Sequence, residues 1–204
     1  MSSHTMKAVL FDFGGVLAEE GFRKGLSYIA SSNGLDPEEF FITAQALIIS
    51  SGYLTGRSTE AGYWNRLRAL TGISGNDYEL RQIILKRFIL RDWMIDLVKR
   101  LKKSSIQVAI LSDQTNWLDE LDSRLHFFSL FDFVFNSFHL GKSKNDPSLF
   151  IDVLNIMGPS PHETLFIDDT IAHVLRARSK GLHAIHYTGK EPFLIEMKMI
   201  VPST

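Results

Sequence analysis

Ala8-Val9-Leu10-Phe11-Asp12-Phe13-Gly14-Gly15-Val16-Leu17 runs an apolar strand into a carboxylate and then into two glycines. Desolvating an acid at the tip of a buried strand costs several kcal/mol unless charge or hydrogen bonds compensate. A metal ion or a cationic side chain is therefore expected beside Asp12. Two later stretches repeat the pattern, Val108-Ala109-Ile110-Leu111-Ser112-Asp113 and Thr164-Leu165-Phe166-Ile167-Asp168-Asp169. Three apolar strands that deliver a hydroxyl and carboxylates at their carboxyl ends read as one site drawn from distant parts of the chain.

Outward from these stretches, strands are expected at 8–13, 107–112, 131–135, 164–167 and 183–186. Met94, Leu97, Val98 and Leu101 fall at i, i+3, i+4, i+7, the stripe of a helix lying on a sheet, and Phe150, Val153, Leu154 and Met157 repeat it. Asp146-Pro147 offers a cap and first-turn proline, Ser160-Pro161-His162-Glu163 is shaped like a capping box, and Gly181 suits a helix end. Strands alternating with helices imply parallel β-α-β units, whose ligands bind beyond the carboxyl ends of the strands. The expected fold is α/β, a Rossmann-like three-layer parallel sheet. Residues 19–90 break the rhythm with four helical stretches, at 22–32, 37–51, 58–71 and 76–90. The expected organisation is a core of 1–18 and 91–204 with a small helical cap at 19–90, inserted after the first strand.

Bulk composition narrows the function. Hydrophobic residues at 45% and charged residues at 22% are ordinary for a soluble globular protein. A net charge of -1 leaves no basic surplus for a nucleic-acid backbone. Cysteine is absent, which excludes disulfides and thiolate chemistry. No apolar run approaches the ~20 residues of a membrane span, and Met1 to Met6 lack the character of a secretory leader. A cytoplasmic protein with neither nucleic-acid nor membrane partner is expected, its oligomeric state left open.

The residues, taken in order, resemble the haloacid dehalogenase-like hydrolase superfamily, a group dominated by magnesium-dependent phosphatases. Phe11-Asp12-Phe13-Gly14-Gly15-Val16-Leu17 resembles the turn bearing the nucleophilic aspartate. Leu111-Ser112-Asp113 resembles the strand end whose hydroxyl holds the phosphoryl group. Gly141-Lys142-Ser143-Lys144-Asn145-Asp146-Pro147 is similar to the motif-lysine segment, and Phe166-Ile167-Asp168-Asp169 to the acidic pair at the metal. The insert matches the cap position of the cap-bearing phosphatase branch. The resemblance implies Asp12 and Lys144 as catalytic residues, and Asp12, the Gly14 carbonyl, Asp168 and Asp169 around Mg2+. It implies Phe13, Gly14, Gly15, Ser112, Asp113 and Lys144 around the phosphate. Asp168 and Asp169 point opposite ways in an extended segment, so one is expected on the metal and the other on a cap or a bridging water, with Asp168 favoured. Lys142 competes with Lys144, and the motif spacing favours Lys144.

The implied reaction is hydrolysis of a small phosphorylated metabolite, a sugar phosphate first, through an aspartyl-phosphate. Gly14 departs from the family's pattern, because phosphatases of this group generally place a second, proton-transferring aspartate there. Glycine at that position resembles the glucose-1-phosphate phosphatase-like members. Loss of a positioned acid-base group costs ~10²–10⁴-fold, and Glu19 or Glu20 from the cap is a possible stand-in. Asn145 replaces a proline, and Asp113 adds negative charge where asparagine is frequent. Two other readings are a haloacid dehalogenase-type hydrolase and a phosphate-binding protein that lost turnover with Gly14. Phe22, Phe40, Phe41, Tyr53, Tyr63 and Trp64 are expected in the cap's core, one or two of them facing substrate. Arg23, Lys24 and Arg57 are expected on solvated surface, and the seven histidines show no metal-ligand spacing.

Overall fold

Every residue of the first strand, β1 (Ala8–Phe11), is fully buried, as a central strand covered on both faces must be. The computed structural model describes residues 6–201; the expected lack of a leader, resting mostly on residues 1–5, lies outside them. β1 pairs in parallel with β2 (Gln107–Ser112) on one side and β4 (Thr164–Asp168) on the other. The flanking strands β3 (Phe133–Asn136) and β5 (His183–His186) complete a five-stranded sheet in the order β3-β2-β1-β4-β5.

Side chains alternate across the sheet, and each face has its own core. Val9, Phe11, Val108, Ile110, Leu165 and Ile167 pack with α5 (Asp92–Lys103), α6 (Trp117–Leu125) and α10 (Lys190–Ile200). Ala8, Leu10, Ala109, Leu111 and Phe166 pack with α8 (Ser148–Met157) and α9 (Ile171–Ser179). A fully buried Leu or Phe contributes ~1.5–3 kcal/mol relative to exposure, so these two layers fix the register of β1 against both neighbours.

Between β1 and α5 the chain forms four helices, α1 (Gly21–Ser32), α2 (Pro37–Ser50), α3 (Glu60–Thr71) and α4 (Asp77–Leu85). Asp36 caps α2 and Thr59 caps α3. The segment's buried aromatics are continuous with one face of the sheet: Trp64 stacks on Trp117 of α6 at 5.9 Å, and the Tyr53 hydroxyl donates to Asn116 at 2.7 Å.

Several expected boundaries move, for local reasons. β1 stops two residues early, because the chain turns at Asp12 to Gly15, where Gly15 takes a φ of +81°. The fourth insert helix stops at Leu85 rather than near residue 90. Leu90 bridges Ala18, and Glu19 donates to the Ile89 carbonyl at 2.8 Å, so the two links between sheet and insert pair with each other. The capping box at Ser160 is present but opens a single 3₁₀ turn, Pro161–Glu163. A short helix, α7 (Ser137–Leu140), follows β3 directly. α10, which sequence periodicity had not revealed, docks Phe193 between Trp93 and Tyr187.

Because Trp117 lies inside the shared core, insert and sheet are expected to unfold together. Trp117→Ala should cost about 3–5 kcal/mol, with far-ultraviolet dichroism and tryptophan fluorescence giving one coincident denaturant transition. Separate transitions would show that the insert has its own stability.

Candidate active site

The register sets the site. Phe11 lies level with Ile110 and Ile167, and the Asp12 amide donates to the Ile167 carbonyl at 2.9 Å. Asp12 therefore stands at the carboxyl edge between the ends of β2 and β4, which carry Ser112 and Asp168. All three are buried, with Asp168 fully inaccessible.

Lys144 reaches this edge from the loop between α7 and α8. Its ammonium lies 2.9 Å from Asp12 Oδ1 and 2.6 Å from Asp168 Oδ2, with a relative exposure of 1%. Its backbone N–H donates to Asp113 Oδ1 at 2.9 Å. Asp113, expected around phosphate, lines the cleft but also fastens the lysine loop. Lys142 turns away to Ser148 and Asp152 on α8, at 2.6 and 2.5 Å. Lys144 is the lysine that the structure brings to the acids.

Asp168 is held from several sides. Oδ1 accepts the Thr170 N–H at 2.7 Å, and His173 Nδ1 lies 3.2 Å from Oδ2. Asp169, unlike Asp168, lines the cleft shared with Asp12. One oxygen from each of Asp12, Asp168 and Asp169 falls within a common 4.8 Å. Burial pushes the Asp12 carboxyl well above the usual range against the pull of Lys144, and Asp168 and Asp169 add to the rise. Burial likewise raises Asp169, with Asp168 adding to it. Burial opposes ionisation of Asp168, but Lys144 and His173 outweigh it and hold its pKa low. Burial also opposes the charge on Lys144, and Asp12, Asp168 and Asp113 outweigh it. The cluster is short of positive charge. Its donors are all hard oxygens, a set that fits Mg2+ better than a softer metal.

The turn after Asp12 is pressed against this cluster. A β-carbon on Gly15 would fall 1.9 Å from Asp169 Oδ2, so only glycine allows the approach. Arg91 pins the turn from behind, bonding the Gly15 carbonyl, the Val16 carbonyl at 2.8 Å and Glu19 at 3.1 Å. The Phe13 amide, expected to face phosphate, donates instead to Asp12 Oδ1 at 2.8 Å, and the Phe13 ring stacks on Phe127. Gly14 and Ser112 line the cleft.

That cleft encloses about 610 Å³ and is walled on the insert side by Phe22, Phe41, Ile48, Leu54 and Phe88. Phe40, Tyr53, Tyr63 and Trp64 are packed in the core, as expected, while Phe22 and Phe41 reach the cleft. Arg23 also borders it, over the Phe41 ring and paired with Glu38. Lys24 pairs with Glu19, and Arg57 donates to the Gly141 carbonyl outside the cleft. Sequence reasoning missed His173 and Arg91. The signal for His173 was its place one turn beyond the acidic pair; Arg91 had none, because its partners are backbone carbonyls.

Residues 6–179 match the family described as haloacid dehalogenase-like hydrolase. The chain belongs to that family. Among curated proteins it is similar to a flavin mononucleotide hydrolase of Arabidopsis thaliana, 24% identical over 54% of this chain and 46% of the relative. It is also similar to a sesquiterpene phosphatase of Aspergillus oryzae, 27% identical over 53% of this chain and 56% of the relative. The chain spans about half the length, or less, of the curated relatives it matches. Among solved structures it is similar in fold to a family enzyme of Bacteroides thetaiotaomicron in complex with magnesium and inorganic phosphate. That likeness has a TM-score of 0.72 and 21% identity, covering 93% of this chain and 98% of the other. Among the described residues no helix is long and apolar enough to cross a membrane.

Lys144→Met should destabilise the fold by about 3–5 kcal/mol, since it leaves buried carboxylates without their cation; urea titration measures this. Gly15→Ala should displace Asp169 and weaken Mg2+ binding at least about tenfold, read by calorimetry, since disturbing groups around a metal typically costs 10–100-fold in affinity. Unchanged affinity would remove Asp169 from the metal site.

Proposed function

We propose that this chain is a magnesium-dependent phosphomonoesterase working through an aspartyl-phosphate on Asp12. The observation that carries this reading is the cluster of Asp12, Asp168 and Asp169, two of them paired with one buried lysine, at the edge of a cleft. Asp12 and Asp169 are the side chains that would hold Mg2+, with the Gly14 carbonyl beside them. Asp168, favoured from sequence as a direct ligand, is better suited to holding Lys144, since that ammonium and the Thr170 amide occupy its oxygens. Bound there, the ion would supply positive charge to the phosphate oxygens.

The chain's own groups account for the rest. Lys144 keeps Asp12 Oδ1 oriented, and the Asp12 oxygen attacks phosphorus as the ester oxygen departs. The Ser112 hydroxyl holds a phosphoryl oxygen. Water then attacks phosphorus and frees Asp12. Displacement at carbon needs no divalent cation, so a three-acid cluster able to hold one favours the phosphatase reading. The relative from Bacteroides, titled as a complex with magnesium and phosphate, supports it.

The insert's wall refines the substrate. Phenyl and branched aliphatic groups surround the space beyond the acids, which suits a monophosphate with an apolar or aromatic body better than a bare sugar phosphate. The names of the flavin mononucleotide hydrolase and the sesquiterpene phosphatase agree in kind. Glycine at position 14 is the feature supporting the glucose-1-phosphate phosphatase-like branch.

A panel of monophosphates assayed with Mg2+ and with chelator tests the proposal. Phosphate release should require the metal, and Asp12→Asn should lower it by more than ~10³-fold. Aryl and isoprenyl monophosphates should exceed glucose 1-phosphate in kcat/KM by about tenfold or more, the equivalent of burying roughly two methylenes. Binding of phosphate without release from any ester would favour the lost-turnover reading, and chelator-insensitive halide release would favour the dehalogenase.

A further inference from the structure

We propose that Glu20 is the general acid and base of this site, doing from the insert what Gly14 cannot do from the turn after Asp12. The assignment rests on the phosphatase reading. Gly14 has no proton to give, and the space beside it is taken: a β-carbon there would lie 3.2 Å from Cε1 of Phe88. The same ring covers Gly21, where a β-carbon would fall 2.4 Å from Phe88 Cδ2. Gly14 and the first residue of α1 thus pack against one phenyl ring, and Glu20, the residue preceding α1, borders the cleft with Asp12, Gly14 and Asp169.

The two acids at this junction differ in their surroundings. Glu19 is tied to Lys24 at 2.7 Å and Arg91 at 3.1 Å, and does not border the cleft. Those cations hold its carboxyl below the usual range, the Lys24 hydrogen bond foremost. Glu20 has no cationic side-chain partner among the described ion pairs. One of its oxygens accepts the Arg23 N–H at 2.6 Å, which fixes the carboxyl at the head of α1. The nearby side chains of Arg23 and Lys24 are engaged by Glu38 and Glu19. Burial raises the Glu20 carboxyl, and Asp169 opposite adds to the rise. A carboxyl held protonated more readily than usual, lining the same cleft as the nucleophile, suits proton donation.

The steps balance. As the Asp12 oxygen bonds to phosphorus and the ester P–O bond breaks, the leaving oxygen takes the Glu20 proton and departs as the alcohol. The Glu20 carboxylate then takes a proton from water while that water's oxygen bonds to phosphorus. The Asp12–phosphorus bond breaks, and Glu20 is again protonated.

Leaving-group dependence in the intact, magnesium-loaded protein tests the assignment, because p-nitrophenolate departs without a proton and an alkoxide does not. Glu20→Gln should lower kcat/KM for butyl phosphate by ~10²-fold or more, with a much smaller change for p-nitrophenyl phosphate. Glu20→Ser, which keeps a good N-cap but no acid, should show the same selective loss with the wild-type melting temperature. Equal losses on both substrates, or an undiminished rate on butyl phosphate, would overturn the role of Glu20 and leave the phosphatase reading standing. Absence of magnesium-dependent release from either substrate by the wild-type chain would overturn both.

Discussion

A single ammonium, shut from solvent between two carboxylates, holds this molecule's working edge together. Lys144 touches Asp12 and Asp168 at once, and its backbone is tied to Asp113. Those three acids come from the ends of β1, β2 and β4, so one loop residue ties together segments far apart in the chain. Burying the ammonium alone would be prohibitive, and burying the acids alone equally so. Each makes the other tolerable. Burial, with the neighbouring acids, pushes the Asp12 and Asp169 carboxyls upward, and that shortage of positive charge is what makes the edge receptive to a divalent cation.

The rest of the architecture serves to keep that edge in register. The double-sided burial of β1 leaves it no freedom to slip, since a one-residue shift would exchange the two faces of the sheet. Arg91 does similar work behind the glycine turn, where side-chain hydrogen bonds hold carbonyls that the turn leaves without helix or strand partners. The insert is no loose attachment. It shares its aromatic core with the sheet, and its two links pair with each other through Ala18 and Leu90. A cleft formed between such tightly joined layers keeps Phe22, Phe41 and Phe88 at fixed places opposite the acids, so the shape offered to a ligand belongs to both layers.

Much of the fold could be read along the chain because its signals are local. Three apolar runs ending in polar residues marked the strands, and Asp36-Pro37 marked a helix start that appears where expected. Asp12, Ser112 and Asp168 stood out for the same reason, as polar groups where a buried strand ends, whereas Lys144 was implied by the family resemblance. Other features depended on distant partners. α4 ends early because Leu90 is needed as a link to Ala18, which no property of residues 86–90 announces. Phe13 gives its N–H to Asp12, a choice set by the turn and not by residue type. His173 has no neighbouring histidine to advertise it and gains meaning only where its ring meets Asp168.

The sequence by itself determined a parallel α/β sheet with a helical insert and a set of acids at strand ends, because periodicity and the cost of burying charge act over a few residues. Only the tertiary structure decided which lysine meets those acids, which of two adjacent aspartates turns to the cleft, and which of two adjacent glutamates borders it. Those outcomes turn on distances of a few ångströms between residues dozens of positions apart, and packing alone sets them.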